Sequence, residues 1–470
     1  MSQLSALRNA DGLSPETRDA VAELVWTLDD RAGHNRLVQR YYDQEYVVED
    51  ELFKMQIKSE SIRNTWVSGW ATKAVDALAA RVRLDGFVGG EDDPALAEVL
   101  ARNALADGYA RTLPSKLTQG CAFAAVNLGD DGHAHVRFHC AEDAAAIPAA
   151  DYRPGAVAAG MCVARRERTA WSGHRRVPTQ VNAYLPGLVV RMDRTSATTW
   201  KAEEMPVDER EPMFVALTHL GTDRQPFGRT RITHYVRQLC AEAARTMFHM
   251  QVLGNFYMMP RLALMGLTDD QFEAIVSSKM KTYIDAVLAT TRDQATGQVP
   301  QLQQLNGASP QPFIDVIQLL AKQFSNETAV PLNSLGVVTD NPSSAEAIEA
   351  SREDICDVAE RDIGSDKVSL TRVIRLAMAV EQDLTTDELP ADELAVAPHF
   401  MPANMASLAA RADAAAKYAG IRTGFGETDV CAEMLGFDEA ERARITAQAR
   451  RAAGSDFLRQ AVEGANQTGR

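Results

Sequence analysis

The stretch ITHYVRQLCAEAARTMFHMQVLGNF at 232–256 decides the fold class. It contains no proline, and only Gly254 near its end interrupts it. Its apolar residues recur at helical spacing and form a wide stripe. This stripe consists of Val236, Leu239, Cys240, Ala243, Ala244, Met247, Met250 and Val252. We expect a long helix whose stripe packs against a returning helix and against the same helix of neighbouring subunits. A helix of an ordinary core is the alternative interpretation.

The returning helix is predicted at 313–330, with the sequence FIDVIQLLAKQFSNETAV. Between the two helices lies a small α+β patch, which contains YMMPRLALMGL and a helix from about Thr268. A polar stretch rich in glutamine, glycine and proline closes this patch at 294–312. The pattern therefore predicts two long helices that are separated by a compact insert.

The segment before the long helix changes its hydrophobic period. Helices are predicted first, at 14–30, 62–84 and 94–118. Alternating apolar residues then predict antiparallel strands, and the pairs Asp-Gly, Pro-Gly and Ser-Gly supply the turns between them. These strands are predicted at 121–128, 135–140, 156–167, 179–193 and 198–204.

Helices return after the second long helix. From Ala345 to about Gln382 the pattern is helical and acidic, with Gly364 as a predicted break. Residues 401–470 are alanine-rich and are predicted to be helical. The order of helices, strands and helices predicts an α+β fold class.

Bulk composition excludes several classes of protein. The chain has 470 residues, which is enough for two or three domains. Its net charge of −15 argues against a protein that grips nucleic acid by neutralising phosphates. No apolar run reaches the roughly 20 residues of a membrane-spanning helix, and the first residues lack the pattern of a signal peptide. We therefore expect that the protein does not associate with membranes and that it is synthesised in the cytoplasm.

The side chains that usually carry chemistry are scattered. The six cysteines lie far apart, so disulfides are not expected. HAHVRFHC places His133, His135, His139 and Cys140 close together, which suggests zinc; a half-buried strand with incidental polar side chains is the alternative. Glu353, Asp354 and Asp357 lie at helical spacing, and we interpret them as the solvent-exposed side of a helix. No Walker A, GxGxxG, GxSxG or HExxH motif is present, so we expect no enzyme, no cofactor and no metal.

A break in the helical pattern spans 331–344. Pro331 cannot continue a helix, Gly336 permits unusual backbone angles, and Pro342 disfavours helix at the residue before it. Ser343 or Ser344 can then cap the next helix, with Glu346 completing a capping box. The pattern predicts a loop between two helices, and a plain surface loop is the simplest interpretation of it.

Charge is distributed unevenly after this break and within the predicted sheet. Residues 343–400 hold 14 acidic and 5 basic side chains. Such a surface would let DNA slide past without binding it, although a solvated acidic face explains the same pattern. A basic cluster in the strand-rich part either meets other proteins or covers a solvated hairpin. It consists of Arg165, Arg166, Arg168, Arg175 and Arg176.

Several stretches, taken in order, resemble one known family. They are RLVQRYYDQEY at 36–46; Asn64, Val75 and Asp76 followed by RVRLDGF at 81–87; PFGRTRI at 226–232; AVPLNSLG at 329–336; and NPSSAEAIEAS at 341–351. Their order and spacing resemble the bacteriophage portal proteins, and are most similar to portals of siphophages that infect Gram-positive hosts. The resemblance spans roughly 35–385. Thr230 stands where the family usually has serine, and Ser344-Ala345 where many relatives have Ser-Gly.

The resemblance implies a division of the chain into the parts of a portal subunit. These are a wing at 1–227 (N-terminal helices plus the β-rich part), stem helix 1 at 228–256, a small α+β clip at 257–311, stem helix 2 at 312–330, a tunnel loop region at 331–344, a wing and tunnel helix at 345–395 and a helical crown at 396–470. It also implies that the tunnel loop lines a DNA channel, through Gly336, Val337, Val338, Thr339, Asp340, Asn341, Ser343 and Ser344.

The resemblance further implies what the subunit would assemble with. It implies a ring of about twelve copies at one capsid vertex, through which double-stranded DNA passes without sequence specificity during packaging and ejection. The implied protein partners are the terminase large subunit, the head–tail connector or adaptor, and the major capsid and scaffolding proteins. The implied location is the virion, with assembly in the host cytoplasm. Another phage or bacterial structural or adaptor protein is the first alternative, and a hydrolase or nuclease with a scattered site is the second.

Overall fold

The structure is a computed structural model with two compact units. It describes residues 4–47, 66–89, 94–150, 153–169, 172–173, 175–257, 261–265, 301–305, 309–336, 352–404, 408–437, 441–442, 444–449 and 451. Unit 1 comprises 1–42, 72–233 and 342–470, and unit 2 comprises 43–71 and 234–341. Helices and antiparallel sheets both occur, so the predicted α+β class is confirmed.

Unit 1 contains two antiparallel sheets. The larger has five strands in the order of the chain, each joined to the next by a short connection. They are β4 (Ala144–Pro148), β5 (Val157–Arg168), β6 (Arg176–Leu185), β7 (Leu188–Arg194) and β8 (Trp200–Pro206). The smaller sheet has the order β3-β2-β9, with β2 at Cys121–Leu128, β3 at Ala134–Cys140 and β9 at Phe214–Thr218.

Helices cover both sheets of unit 1. Their bounds are α1 (Pro15–Tyr42), α2 (Trp70–Ala79, of which 72–79 lie in unit 1), α3 (Pro94–Asn103), α4 (Leu105–Gln119), α7 (Glu353–Glu381), α8 (Ala391–Leu394), α9 (Leu408–Ile421) and α10 (Asp429–Leu435). The apolar side of α1 and a short 3-10 helix at Ser5–Asn9 pack on the five-stranded sheet. The apolar side of α7 packs on the smaller sheet, and this second core also takes in side chains from the five-stranded sheet, such as Val157 and Tyr184.

A third, two-stranded sheet joins distant parts of the chain in unit 1. Strand β1 (Arg83–Val88) pairs antiparallel with β12 (Ala397–Met401), and Arg83 lies opposite Met401. The crown was expected to be helical from 396 onward, so the strand at 397–401 corrects that expectation. The pairing partner of this strand lies more than half the chain away, and a local pattern carries no information about it.

Unit 2 contains two long helices with a strand pair between them in sequence. Helix α5 spans His234–Tyr257 and helix α6 spans Gln311–Thr328, close to the predicted 232–256 and 313–330. Strands β10 (Arg261–Met265) and β11 (Gln301–Leu305) pair antiparallel in the intervening segment. After α6, a short 3-10 helix covers Leu332–Leu335.

Most helix and strand predictions are confirmed, and four of the predicted segments differ in their extent. Helix α1 continues to Tyr42 instead of ending near residue 30. The predicted helix at 94–118 is two helices, because Ala104 between them has a left-handed backbone (φ 44°). The predicted strand at 179–193 is a hairpin, which turns at Pro186-Gly187. Of the helix predicted at 62–84, residues 70–79 are helical, residues 83–88 form β1, and residues 62–65 lie outside the described part.

Gly364 does not break the acidic helix, because α7 runs through it without interruption. Gly364 is exposed, and a side chain there would meet nothing within 4 Å. A single glycine weakens a helix by roughly 1 kcal/mol, and burial of neighbouring apolar side chains such as Ile363 offsets that cost.

Candidate functional site

The best-defined cluster of chemically active side chains lies inside unit 1, where α4 packs near α7. Lys116 of α4 occupies the otherwise apolar face formed by Tyr109, Leu113 and Leu117. Its side chain is 1% exposed, and its Nζ atom lies 2.6 Å from Oδ2 of Asp366 and 3.7 Å from Oδ2 of Asp362. Both aspartates stand one helical turn apart on α7, so one lysine can face both.

Two further side chains complete what we call the α7 ion cluster: Lys116, Asp362, Asp366, Tyr109 and His219. The hydroxyl of Tyr109 donates to Oδ2 of Asp366 at 2.5 Å. Nδ1 of His219, just after β9, lies 2.8 Å from Oδ2 of Asp362. All five side chains are buried, and together they tie α4, the end of β9 and α7 to one another.

Burial and mutual charge determine how these groups ionise. Burial lowers the pKa of Lys116, but the charges of Asp366 and Asp362 outweigh this and raise it overall. Burial also lowers the pKa of His219, which favours the neutral ring as a donor to Asp362. The pKa of Asp366 is raised to about 6, because burial and the charge of Asp362 oppose its ionisation more than Lys116 favours it.

Asp362 is the carboxylate that stays charged. Burial alone would raise its pKa, yet the charge of Lys116 and the hydrogen bond from His219 lower it overall. Arg231 adds positive charge nearby; its Nε atom donates to the carbonyl of Ala74 at 2.5 Å, and burial lowers the pKa of its guanidinium to about 10. The cluster is therefore close to electrically balanced, which a buried group of charges requires.

The arrangement suits positioning and offers no route for a substrate. Within the described residues, Oδ1 of Asp362, Oδ1 of Asp366 and Oγ of Ser369 have no hydrogen-bond partner. These atoms are nonetheless fully enclosed. What the cluster can do chemically is hold α7 in one position relative to α4, since displacement would leave buried charges without partners.

A second polar contact fixes the other end of α7. Glu381, the last residue of the helix, accepts from Nη1 of Arg102 at 2.9 Å and from the backbone N–H of Ala134 at 2.8 Å. Nδ1 of His133 lies 2.8 Å from the same carboxylate. Burial raises the pKa of Glu381, but these three bonds outweigh it and lower the pKa overall. Helix α7 is thus anchored near its middle and at its end.

The structure places one of the predicted channel residues. Gly336 ends the short 3-10 helix with a left-handed backbone (φ 80°), and a side chain there would meet nothing within 4 Å. The positive φ agrees with the prediction that this glycine is needed for unusual backbone angles. Val337, Val338, Thr339, Asp340, Asn341, Ser343 and Ser344 lie outside the described residues.

The histidine-rich strand does not assemble a shared site. His133 contacts Glu381, whereas Nε2 of His135 lies 2.9 Å from Oδ2 of Asp131. His139 is buried, and burial lowers its pKa to about 4. In the described part of the chain, no three side chains of the ligand-forming types lie close enough to hold a metal ion.

Only part of the acidic surface predicted after residue 343 is exposed to solvent. Glu353, Asp354 and Asp357 are exposed, as the sequence interpretation expected. Asp362 and Asp366, however, are fully buried, so counting them among solvent- or DNA-facing charges was wrong. The arginine-rich hairpin of β5 and β6 is exposed, and Arg166 pairs with Asp143 at its base. No helix in the described residues is long and apolar enough to span a membrane.

The α7 ion cluster escaped the sequence interpretation, although a signal was present. Lys116 falls on the helical repeat of Tyr109, Leu113 and Leu117, where a charged residue is unexpected. Asp362 and Asp366 likewise share a helical face with Ile355 and Ala359. Charges on predicted core faces of two separate helices indicate a buried ion pair, because each needs a partner.

Taken together, the fold and this cluster define an α+β protein in which buried charged side chains hold helices in place. No protein-family model matches the sequence. The chain is 27% identical over 218 residues to the portal protein of Mycobacterium phage D29, a match that covers 46% of this chain and 44% of that protein. It is 26% identical over 218 residues to the portal protein of Mycobacterium phage L5, covering 46% and 43%. The predicted resemblance to phage portal proteins is confirmed.

These matches have a limited extent. The matched segment spans less than half the length of either curated relative. Among solved structures, the chain overlaps with one described as the neck of a native GTA particle computed with C12 symmetry, at 12% identity, with 78% of this chain and 89% of that chain covered and a TM-score of 0.38. A second overlap, with the virion of a native gene transfer agent particle, has 13% identity, the same coverage and a TM-score of 0.41. Overlaps with TM-scores this low carry no argument about function.

Proposed function

We propose that this chain is the portal subunit of a tailed bacteriophage, and that about twelve copies form a ring around a DNA channel. The observation that carries the proposal is the sequence similarity to two mycobacteriophage portal proteins. A subunit of this kind would sit at one capsid vertex of the virion and would assemble in the host cytoplasm. It would act as a structural protein, without a cofactor or metal.

The two long helices of unit 2 support this proposal on physical grounds. A channel needs a rigid wall, and α5 and α6 supply two helices per subunit with a strand pair between them. We assign α5 and α6 to the stem, and the segment between them, which we take as 257–311, to the clip. In this assignment the clip faces the terminase large subunit during packaging and the head–tail connector afterwards.

The remaining segments receive matching proposals. The wing comprises 1–227 together with 345–395, the tunnel loop region comprises 331–344, and the crown comprises 396–470. The wing would meet the major capsid and scaffolding proteins. Double-stranded DNA would pass the tunnel loop without sequence-specific contacts, because the stretch LGVVTDNPSS at 335–344 contains no lysine or arginine.

The α7 ion cluster gives the proposed tunnel loop a fixed support. Described residues resume at 352, directly after the segment that contains the loop, and α7 begins at Glu353. Asp362 and Asp366 hold this helix to α4 and to the end of β9. In our proposal, the cluster therefore holds the helix that follows the tunnel loop in the sequence at a constant position while DNA moves.

The mass of the purified assembly tests the proposal. We expect native mass spectrometry to give a multiple of 51.3 kDa that corresponds to about twelve subunits. We expect electron micrographs of the same sample to show rings with a central hole. Rings of a neighbouring subunit number would agree with the proposal. A protein that stays monomeric or dimeric over a wide range of salt and protein concentrations would contradict it.

A triple lysine substitution tests the proposed channel residues. We expect Val338→Lys, Thr339→Lys and Asn341→Lys, combined in every subunit, to leave ring assembly intact and to slow DNA packaging at low ionic strength. Each new phosphate contact steepens the dependence of DNA binding on salt by about one unit of log–log slope. Packaging should recover as salt is added. The same three positions changed to glutamine serve as the control. Equal packaging rates at low salt would remove these residues from the channel.

A further inference from the structure

A groove in unit 1 lies between α1, the edge of the two sheets and the loop after β9. Its volume is about 470 Å³. Its floor is apolar and includes Leu28, Cys121, Phe123 and Phe227. The rim of the groove carries three arginines, Arg31, Arg224 and Arg229, all of which are exposed. The groove is therefore open to solvent, apolar at its base and basic at its edge.

The charge of this rim is unusual for the chain. The protein has a net charge of −15, whereas the groove lining holds three arginines and a single acidic residue, Glu23. Arg31 lies 4.0 Å from Asp30. In the described part of the chain, the side chains of Arg224 and Arg229 take part in no recorded ion pair or hydrogen bond, so their charge is available to a partner.

The groove also contains a buried acceptor without a donor. Gln119, at the end of α4, lines the groove and is only 8% exposed. Its Nε2 atom donates to Oε1 of Gln39 at 3.3 Å, but its own Oε1 atom has no partner among the described residues. A buried acceptor of this kind has a free-energy cost unless a donor reaches it. This atom is enclosed as well as unpartnered, so the apolar floor and the rim arginines are the parts of the groove that an occupant can reach.

The rim is held in one conformation before anything binds. The N–H of Gly228 donates to the carbonyl of Gln225, and the N–H of Arg229 donates to the carbonyl of His219. Gly228 has a positive φ (71°), and a side chain there would lie 2.4 Å from the carbonyl oxygen of His219. Preformed geometry reduces the entropy that docking must overcome.

A complementary surface exists elsewhere in the same unit, in the connection between α7 and α8. Residues 383–392 hold four exposed acids and no lysine or arginine. These acids are Asp383, Asp387, Glu388 and Asp392. Leu384 beside them is 38% exposed. The segment therefore presents negative charge around an apolar side chain, which is the reverse of the groove.

This acidic connection is also preformed. Leu389 is buried in the core under the smaller sheet. The N–H of Thr386 donates to Oε2 of Glu209 at 2.8 Å, and Glu388 accepts from the N–H and the hydroxyl of Thr385. Asp387 and Asp392 have no recorded side-chain bond in the part of the chain that the structure describes. They can meet arginines without losing an existing contact.

We propose that the groove of one subunit binds the acidic connection, residues 383–392, of a second copy of this chain. Both surfaces are exposed within the subunit, so each is accessible to another copy. A closed ring is built from head-to-tail interfaces, each of which needs two different and complementary patches. This inference rests on the proposed ring, and it names the side chains of one subunit contact.

In this contact, Arg224 and Arg229 face Asp387 and Asp392, and Leu384 covers part of the apolar floor. Charge pairs at the rim mainly direct the association and set its dependence on salt, while the apolar floor adds the buried area.

Charge exchange tests the proposal in the full-length protein. The rim variant carries Arg224→Glu and Arg229→Glu, the connection variant carries Asp387→Lys and Asp392→Lys, and a third protein carries all four changes. We expect the rim variant and the connection variant each to raise the concentration of half-assembly by roughly tenfold or more at low salt. We expect the protein with all four substitutions to assemble nearly as the wild type does.

A matched control separates this contact from a general effect of net charge. Arg168→Glu and Arg175→Glu change the net charge by the same amount as the rim variant, but they lie at the exposed β5–β6 hairpin, outside the groove. We expect this control to assemble normally. Circular dichroism melts of every variant establish that each subunit folds.

The outcomes distinguish this inference from the proposed function. A rim variant that assembles like the wild type overturns the contact and leaves the ring standing. In another outcome, the rim variant loses assembly and the protein with all four substitutions does not recover it. That result shows that the groove binds something other than residues 383–392, which also overturns the contact. A wild-type protein that never assembles overturns both. Oligomers that are not rings but follow the charge exchange support the contact and contradict the ring.

Discussion

Helices α7 and α6 differ in how much of their surface the chain itself covers. Helix α7 buries apolar residues along its whole length, from Ile355 to Ala379, and even its two central carboxylates have partners inside unit 1. Helix α6 buries only Ala321, Phe324 and Thr328. It exposes Val316 and Leu319, which are 44% and 55% accessible.

The difference indicates which helix is complete within one subunit. Helix α7 already has contacts for its apolar and charged side chains, so its position is determined by the fold alone. Helix α6 retains apolar surface one turn apart on one face, with Ile314 at its edge. A cluster of exposed apolar side chains is typical of an interaction surface. We interpret α7 as a fixed support and α6 as a helix that neighbouring subunits would cover.

Removing the lysine of the α7 ion cluster should have the largest effect. Lys116→Met leaves Asp362 and Asp366 buried without their main counter-charge. Breaking a buried ion pair on one side costs roughly 3–5 kcal/mol. We expect the free energy of unfolding to fall by about that amount in urea titrations.

Lys73→Met is the matched control, because Lys73 is exposed on α2. We expect a change of about 0.5 kcal/mol or less for it. Equal losses in the two variants would mean that α7 is no better anchored than an ordinary surface helix, and the comparison with α6 would lose its basis.

Acid should act in opposite directions on two further variants of the cluster. The pKa of Asp366 is raised to about 6 in the folded protein. Its protonated form is therefore favoured by folding, and its contribution to stability grows as pH falls from about 6 toward 4. Burial lowers the pKa of His219 in the folded protein. The neutral His219 ring therefore contributes stability at neutral pH, and this contribution is lost as pH falls below about 6.5.

We therefore expect Asp366→Asn, which keeps His219, to lose stability between pH 7 and pH 5. Relative to it, His219→Gln, which keeps Asp366, should gain stability over the same range. Thermal unfolding of both variants across this range measures the difference. Parallel pH profiles would show that Asp366 and His219 do not contribute to stability with opposite dependence on pH.

The smallest expected effect concerns the exposed face of α6. Leu319→Glu should leave the subunit folded, because the side chain is already mostly exposed. It should weaken assembly by about tenfold, since an interface would then bury a charge in place of a leucine. Gln323→Glu, on another exposed position of α6, should have little effect. Sedimentation at several protein concentrations checks both, and unchanged assembly of Leu319→Glu would place the neighbour contact elsewhere.

The sequence predicted those elements whose signal is local. The hairpin turns at Asp131-Gly132 and Pro154-Gly155 could be located because glycine there adopts positive φ, and both do. The approximate bounds of α5 and α6 followed from apolar periodicity, and for α5 also from the absence of proline. The stripe of α5 was also correct as a stripe, although five of its residues prove to be buried already within the chain: Val236, Leu239, Cys240, Ala243 and Ala244. Phe248, which was not in the predicted stripe, is buried as well.

What the sequence did not predict depends on partners far along the chain. Lys116 and Asp366 are separated by most of the subunit, and neither reveals that it has a partner. The strand at 397–401 lies where a helical crown was expected, and only its pairing with β1 makes it a strand. Gly364 failed as a helix break because the core on one side of α7 outweighs a local preference.

The pairing of β1 with β12 has a consequence for the order of folding during translation. Strand β1 leaves the ribosome long before Ala397–Met401 is made. At about 5–20 residues per second, β1 waits on the order of tens of seconds for its partner. Val396 and Phe400, which are buried beside that strand, are also missing until then. A nascent chain of this protein is therefore an incomplete subunit until nearly all of it has been synthesised, and truncated products ending before Ala397 should be substrates for proteolysis rather than for assembly.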